Sequence, residues 1–362
     1  MRFETIKIWF EKYERFFSPL AFIVGFTLDS LTLTRIDLWI DNAVLIAYIL
    51  IAGAGILLTN AYQSGRERFR FLEPYALFLP LPIQYAFGGL FSGFFIFYSR
   101  SASLVSSWPF LAFLTFFLLG NEFFRRRYTR LVFQLSIFFI AVFSYSIFAL
   151  PILFGKMGNT IFLLSGLASL GAIVILITLL SILIQNHIRG RRKILFANIG
   201  VIYTLFHIFY FTNIIPPIPL SLKEIGVYHS VIKNGAGEYT LLAEPAPKHF
   251  FFQKYSSIFH KSEDESVYVY SAIFAPGELT TKILHRWAYF DKTNDEWITT
   301  DNIPFPIIGG RDSGYRGFTV KQNVTAGEWR VDVITERGQL LGRVKFQVVP
   351  TKTPPDLKTI RS

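Results

Sequence analysis

Seven residues in the last third of the chain carry side chains able to hold a charged ligand. They are Arg286, Trp287, Trp297, Tyr315, Arg316, Trp329 and Arg330. A guanidinium makes forked hydrogen bonds to carboxylates and phosphates, and an aromatic face attracts cations. Such a set suits a sugar, an anionic polymer or a protein partner. The same residue types also build β cores, where Trp fills the interior and Arg on a neighbouring strand stacks over it. Arg286, Trp297, Tyr315, Arg316 and Arg330 are the candidate binding residues.

Catalytic constellations are missing. The chain has no Cys, which removes thiolate nucleophiles, Cys-ligated zinc and disulfides. Its six His residues show neither HExxH nor another ligand spacing, so no metal is expected. There is no Gly-x-Ser-x-Gly elbow and no nucleotide-binding glycine loop. Asp291 with Asp295, and the run Glu263-Asp264-Glu265, sit in turn-like sequence and read as solvated turns rather than a glycosidase pair. No catalytic residue and no cofactor is expected.

The elements that must position the candidates follow from periodicity. Apolar and polar residues alternate through 266–274, 282–290, 314–320, 328–335 and 340–349, with a shorter strand at Glu296-Trp297-Ile298-Thr299. Turn signals stand at Pro276-Gly277, Gly309-Gly310, Ala326-Gly327 and Arg337-Gly338. Short strands at this spacing indicate a sandwich or barrel. Trp329, Val331 and Val333 share one face, while Arg330 and Asp332 share the other. Residues 263–350 are expected to be the β-sandwich-like domain, with 351–362 as a flexible tail. Residues 215–262 read as a linker with a hairpin at Asn234-Gly235 and an aromatic run at Phe250-Phe251-Phe252.

Residues 1–214 have a different character. Of the 362 residues, 52% are apolar, 17% are charged and 40 are Phe, against about 25% charged in ordinary soluble domains. Long apolar stretches near 17–34, 43–59, 77–99, 104–121, 131–154, 160–184 and 194–212 suit seven helices, each able to cross a hydrocarbon core of about 30 Å. Basic residues alternate between the connections. Arg2, Lys7, Lys12, Arg15, Arg66, Arg68, Arg70, Arg125, Arg126, Arg127, Arg130, Arg189, Arg191, Arg192 and Lys193 fall on one set. Only Arg35, Arg100 and Lys156 fall on the other. Short basic connections stay cytoplasmic, so the N-terminus is expected inside and the β half outside. The first stretch reads as a retained signal anchor. The net charge of +11 then reflects topology, and no nucleic-acid partner is expected.

Within the stretches, Asp29 and His207 are the candidate intramembrane polar residues. Asp29 could pair with Arg35, and His207 could donate to another helix. Gly89 and Gly93 have GxxxG spacing, and Ser165, Ala168 and Ala172 form a small-residue series, so both predict close helix packing. So few ionisable groups disfavour a transporter, whose pathway needs charges.

The chain also resembles a family of uncharacterised bacterial multi-pass membrane proteins with a C-terminal β domain of unknown function. The resemblance rests on His285-Arg286-Trp287, Trp297, Gly314-Tyr315-Arg316, Gly327-Glu328-Trp329-Arg330-Val331 and Gly338-Gln339-Leu340-Leu341-Gly342, followed by Phe346. The run from Ile215 to Gly226 is also similar. It implies an architecture and an envelope location, and it brings no catalytic residues. The leading expectation is an inner-membrane protein presenting a periplasmic β-sandwich that binds an envelope polymer or protein partner, with the lipid bilayer as its surroundings. The alternative is an integral-membrane enzyme on lipid-linked substrates, using Asp29, Arg100 and the Arg set.

Overall fold

The computed structural model describes residues 23–76, 78–123, 127–128, 130–234, 238–245, 256–277, 279–308, 315–353 and 355–362. The Phe250–Phe252 run, the basic residues ahead of position 23, Arg125, Arg126 and the glycines at 235, 309, 310 and 314 lie outside them. The chain divides into a helical unit and a β unit. The β unit holds Ile215–Ser362 with the short segments Arg100–Ser107 and Gly155–Gly158.

The helical unit runs α1 (Ile23–Thr32), α2 (Trp39–Gln63), a 3-10 segment (Glu67–Tyr75), α3 (Pro80–Ser101), α4 (Leu104–Phe123), α5 (Leu131–Phe154), α6 (Asn159–Arg189) and α7 (Arg192–Phe211). Five of them, α2, α3, α5, α6 up to Ile184, and α7, are long and apolar enough to cross a membrane. The described part of α1, and Val105–Asn121 within α4, are apolar but shorter. Pro80 opens α3 because proline lacks an N–H that the first helical turn would leave unused.

The GxxxG glycines seat α3 on α2. A Cβ on Gly89 would stand 2.5 Å from the Tyr48 ring, and one on Gly93 would stand 2.9 Å from Leu45. The other small-residue seam differs from the expected one. Ser165 donates to the Ser146 carbonyl of α5 at 3.0 Å, and Ser169 is fully buried beside it. Ala168 is exposed. The facing positions are thus Ser165, Gly166 and Ser169, since the i, i+4 pair lies on one helix face. Much of the bundle core is aromatic: Phe91 stacks on Phe117, and Phe143 on Phe206.

Two basic residues counted for topology also have a structural task. At Ile184 the backbone leaves helical geometry (φ −142°, ψ 52°), so α6 breaks there. The Leu183 carbonyl accepts hydrogen bonds from Arg66 at 2.7 Å and Arg68 at 2.8 Å. A carbonyl at a helix break needs an outside donor, and the guanidinium groups supply it.

Among the described residues the β unit has eleven strands: β1 (Ser221–Tyr228), β2 (Ser230–Lys233), β3 (Tyr239–Ala243), β4 (Ile258–Lys261), β5 (Val267–Phe274), β6 (Thr280–Asp291), β7 (Glu296–Ile308), β8 (Tyr315–Lys321), β9 (Gly327–Thr335), β10 (Leu340–Pro350) and β11 (Lys358–Arg361). They form three sheets, ordered β4-β10-β9-β6-β7, β1-β5-β8 and β11-β3-β2. The expected sandwich is therefore extended by a third sheet. Phe259, Val267, Val269, Trp287, Trp329, Val331 and Phe346 form a core between the five-stranded sheet and β5. Tyr228, Val231, Tyr239, Leu241 and Tyr270 form another between β1-β5-β8 and the small sheet. Covered on both faces, β5 is buried at seven of its eight positions.

Two boundaries differ from the sequence reading. The segment 215–262, read as a linker, supplies β1 to β4, and the tail 351–362 supplies β11. Strand β7 also runs on to Ile308, far past Thr299. Pro304 and Pro306 hid it, since proline interrupts a ladder. At the sheet edge, where β7 pairs only with β6, that loss is tolerated.

Candidate functional site

Register brings three of the five candidate residues together. On β9, Trp329, Val331 and Val333 point into the core, so Arg330 and Asp332 point to the opposite face of the five-stranded sheet. Across β10, Lys345 faces Arg330 and Arg343 faces Asp332. Across β6, Arg286 faces Asp332, and β7 adds Trp297 opposite Phe290. The Arg330 guanidinium lies 4.6 Å over the Trp297 ring, and the Lys345 ammonium lies 5.5 Å from the same ring. Arg286 donates to Asn302 at 3.3 Å.

Among the described residues, the buried carboxylate of this cationic patch is Asp332. Asp332 accepts a fork from Arg343, at 2.5 and 2.8 Å. Arg330 comes no closer than 4.0 Å to it, and the Arg330 Nε is buried without an acceptor. The hydrogen bonds that Arg343 donates to Asp332 raise the Arg343 pKa above its ordinary value, against the effect of burial. Arg330 is pushed the other way. Burial lowers its pKa first; Asp332 opposes this, and the charges of Arg343 and Arg286 lower it further. Arginine stays protonated regardless. The patch therefore holds Arg286, Arg330, Arg343 and Lys345 around a single buried carboxylate, and an anion would relieve the excess.

Tyr315 and Arg316 lie elsewhere. They belong to β8 in the middle sheet, where Tyr315 packs against the cluster of Leu220, Ile273, Ile283 and Leu341. The Arg316 carbonyl accepts from Tyr239 at 3.2 Å. Arg343 and Lys345 were missed. The sequence signal was their alternation with Val344 and Phe346, which puts them on the same side of β10.

Other titratable groups have structural settings. His285 is fully buried, with its ring nitrogens 2.9 Å from Ser271 and 2.9 Å from Thr319. Burial pushes its pKa down to about 3, so the ring is neutral. Trp287 donates to the same Thr319 hydroxyl at 3.1 Å. The Ser–His contact thus sits inside the core, bridging two sheets. Asp291 accepts from Thr293 and Asn294 in the β6–β7 turn, which holds its pKa below the usual value.

Of the helical candidates, His207 bonds locally. His207 Nδ1 lies 2.8 Å from the Tyr203 carbonyl one turn back in α7, rather than on another helix. Its ring packs 4.2 Å from the Tyr203 ring. Asp29 is half-buried in α1. Arg35, which the sequence offered as its partner, forks onto Asp37 at 3.1 and 2.7 Å. A buried amide network, unforeseen because only ionisable groups were sought, links four elements. Asn60 of α2 donates to Gln134 of α5 at 2.6 Å, and Gln134 donates to the Tyr128 carbonyl. Tyr128 donates to Asn121 of α4 at 2.5 Å, and Asn121 donates to the Gln84 carbonyl of α3 at 3.1 Å.

Residues 280–348, which span β6 to most of β10, match the family model described as "Protein of unknown function (DUF2914)". The chain thus carries a C-terminal domain of that description, including the whole Arg–Trp face. The structural unit is larger, since β1 to β5 and β11 lie outside the match. No curated protein matches the chain. Among solved structures it is similar to the Pseudomonas fluorescens alkylpurine DNA glycosylase AlkC bound to DNA containing an abasic site analog, at 9% identity. That alignment covers 84% of this chain and 99% of the other with a TM-score of 0.23.

Proposed function

We propose that the chain is a multi-pass protein of a bacterial inner membrane. Its helices anchor a periplasmic β domain whose Arg–Trp sheet face binds an anionic chain bearing repeated carboxylates or phosphates. The observation that carries the binding reading is the crowding of Arg286, Arg330, Arg343 and Lys345 about the one buried Asp332, with Trp297 as the aromatic floor. Charge-assisted forks from Arg to carboxylate or phosphate are among the stronger hydrogen bonds.

Two observations support the sidedness. Basic residues crowd alternate connections, and short basic connections remain in the cytoplasm. The segments Arg100–Ser107 and Gly155–Gly158, each with a single basic residue, group with the β strands in one compact unit. Within that unit Ser221 donates to the Arg100 carbonyl at 2.6 Å, and Met157 packs with Leu220 and Ile273. A reporter enzyme that works only outside the cytoplasm should be active when fused after Ser362 and silent when fused at Tyr128. The reverse pattern would overturn the topology and the compartment together.

Binding is tested on the full chain in nanodiscs of neutral lipid, with polyglutamate and polyphosphate as probes. Affinity should fall as salt rises, because the contacts are ionic. The triple variant Arg286→Ala, Arg330→Ala, Lys345→Ala should bind at least about tenfold more weakly, the equivalent of about 1.4 kcal/mol. Equal binding by the native chain and the triple variant would refute the assignment of this face.

A further inference from the structure

A second ionic cluster lies apart from the Arg–Trp face, where all three sheets meet. His229 follows β1, and Glu265 precedes β5, both of the middle sheet. Glu244 follows β3 of the small sheet, and His260 lies in β4 at the edge of the five-stranded sheet. His229 Nδ1 is 2.5 Å from Glu265 Oε1, and its Nε2 is 3.0 Å from Glu244 Oε1. The other Glu244 oxygen is 2.7 Å from His260 Nδ1. Glu244 Oε1 also accepts the His260 backbone N–H at 2.6 Å, and Glu265 accepts the Ser262 backbone N–H at 2.8 Å. The His229 side chain is only 4% exposed, and its ring stacks on Phe259 at 4.1 Å.

The bonding pattern constrains the protons. A neutral imidazole has one N–H and one lone pair, whereas both nitrogens of the imidazolium donate. Both nitrogens of His229 face carboxylate oxygens. Only the doubly protonated ring donates to both carboxylates; the neutral ring sets a lone pair against one of them beside a His229 side chain that is itself buried. Unpaired polar groups in such a site are costly. Burial works to raise the Glu244 pKa, yet the His260 backbone N–H, the His260 ring and the His229 ring together hold it below its ordinary value. The charged groups facing His229 from the packed elements are Glu244, Glu265 and, through Glu244, His260.

We propose that this cluster is a proton-operated clamp. It docks β4 onto the rest of the β unit while His229 carries two ring protons, and it loosens β4 when one leaves. Strand β4 is suited to release. It is four residues long and, among the described residues, sits at a sheet edge in parallel register with β10, so apart from the Phe259 side chain in the core the cluster supplies its ties to the other sheets. The clamp responds opposite to Glu244 alone. The Glu244 contribution is present above the ordinary carboxylate range and is lost as pH falls through its lowered value.

The test is hydrogen exchange of the peptide covering β4 in the full chain held in nanodiscs. It is read at about pH 6 and about pH 9, on either side of the range in which imidazoles ordinarily change charge, with correction for intrinsic exchange rates. Protection of β4 should drop at least about tenfold from the lower to the higher pH, while β9 in the core stays protected. Glu265→Gln separates mechanism from fold. A glutamine amide can donate to the lone pair of a neutral His229, so this variant should keep β4 protected at the higher pH. His229→Phe should shrink the pH response, leaving the His260–Glu244 contact to act by itself. Equal protection of native β4 at both pH values would overturn the clamp. So would a Glu265→Gln variant that opens like the native chain, or a tightly held metal ion retained after dialysis, which would make the four residues ligands.

Discussion

Replacing Trp329 by Ala should abolish the folded β unit. Trp329 is 3% exposed and sits opposite Phe346 on β10 and Tyr289 on β6. Its indole N–H is also committed, donating to the Thr325 carbonyl at 2.8 Å. Truncation removes the ring from a closed core and strands an acceptor, at about 3–5 kcal/mol. Domains hold only about 5–15 kcal/mol in total. Thermal melting and protease resistance of the full chain in detergent should show β strands lost at temperatures where the native chain keeps them. Arg330, next in sequence, gives the control. Its side chain lies on the opposite face and stacks over Trp297, a contact worth about 0.5–1 kcal/mol. Arg330→Ala should therefore melt close to the native chain while binding the anionic probes more weakly. If Arg330→Ala melts as early as Trp329→Ala, the arginine is a structural member of the sheet, and the binding face is misassigned.

The second large effect is expected at Asp332. This carboxylate is 5% exposed and is the one acid among Arg286, Arg330 and Arg343. Asp332→Asn leaves the Arg343 fork half-satisfied and removes the charge that offsets its neighbours. Breaking a buried pair by removing one partner costs about 3–5 kcal/mol. The lower end applies here, because Arg343 keeps 22% of its side chain in water. The companion variant Asp332→Asn with Arg343→Met removes both members of the pair. It should melt well above the single variant, since the destabilisation comes from the cation left behind. Anion binding offers an independent reading: Asp332→Asn should strengthen it at low salt, because a competing carboxylate is gone. A single variant as stable as the native chain would show that Asp332 does not hold the patch together.

The first prediction treats the adjacent residues Trp329 and Arg330 differently for a reason that was legible before any fold was known. Alternation along Trp329-Arg330-Val331-Asp332-Val333 assigns each side chain to a face, and the period of a strand is fixed at two by backbone geometry. In the same way, long apolar stretches, Pro80 at a helix start and the Gly89–Gly93 spacing are local properties. Helix length, lost N–H groups and close backbone approach depend on neighbours a few residues away. The sequence could therefore determine a helical unit followed by a β unit, and the inward and outward positions of β9.

Partners across sheets depend on distant residues, and the tertiary structure alone decided them. Arg286, Trp297 and Arg330 come together because β6 lies between β7 and β9. Arg316 is separated from them because β8 joins β5 in another sheet. The segment of β1 to β4 read as a linker with a hairpin because only the β2–β3 pairing is local, while β1 pairs with β5 and β4 with β10, far along the chain. Edge position rescued the prolines of β7, and burial on both faces gave β5 its continuous apolar run. The His229 clamp was the least legible feature. Its four residues come from four segments, none with a recognisable spacing, and only the meeting of three sheets brings their charges within hydrogen-bonding distance.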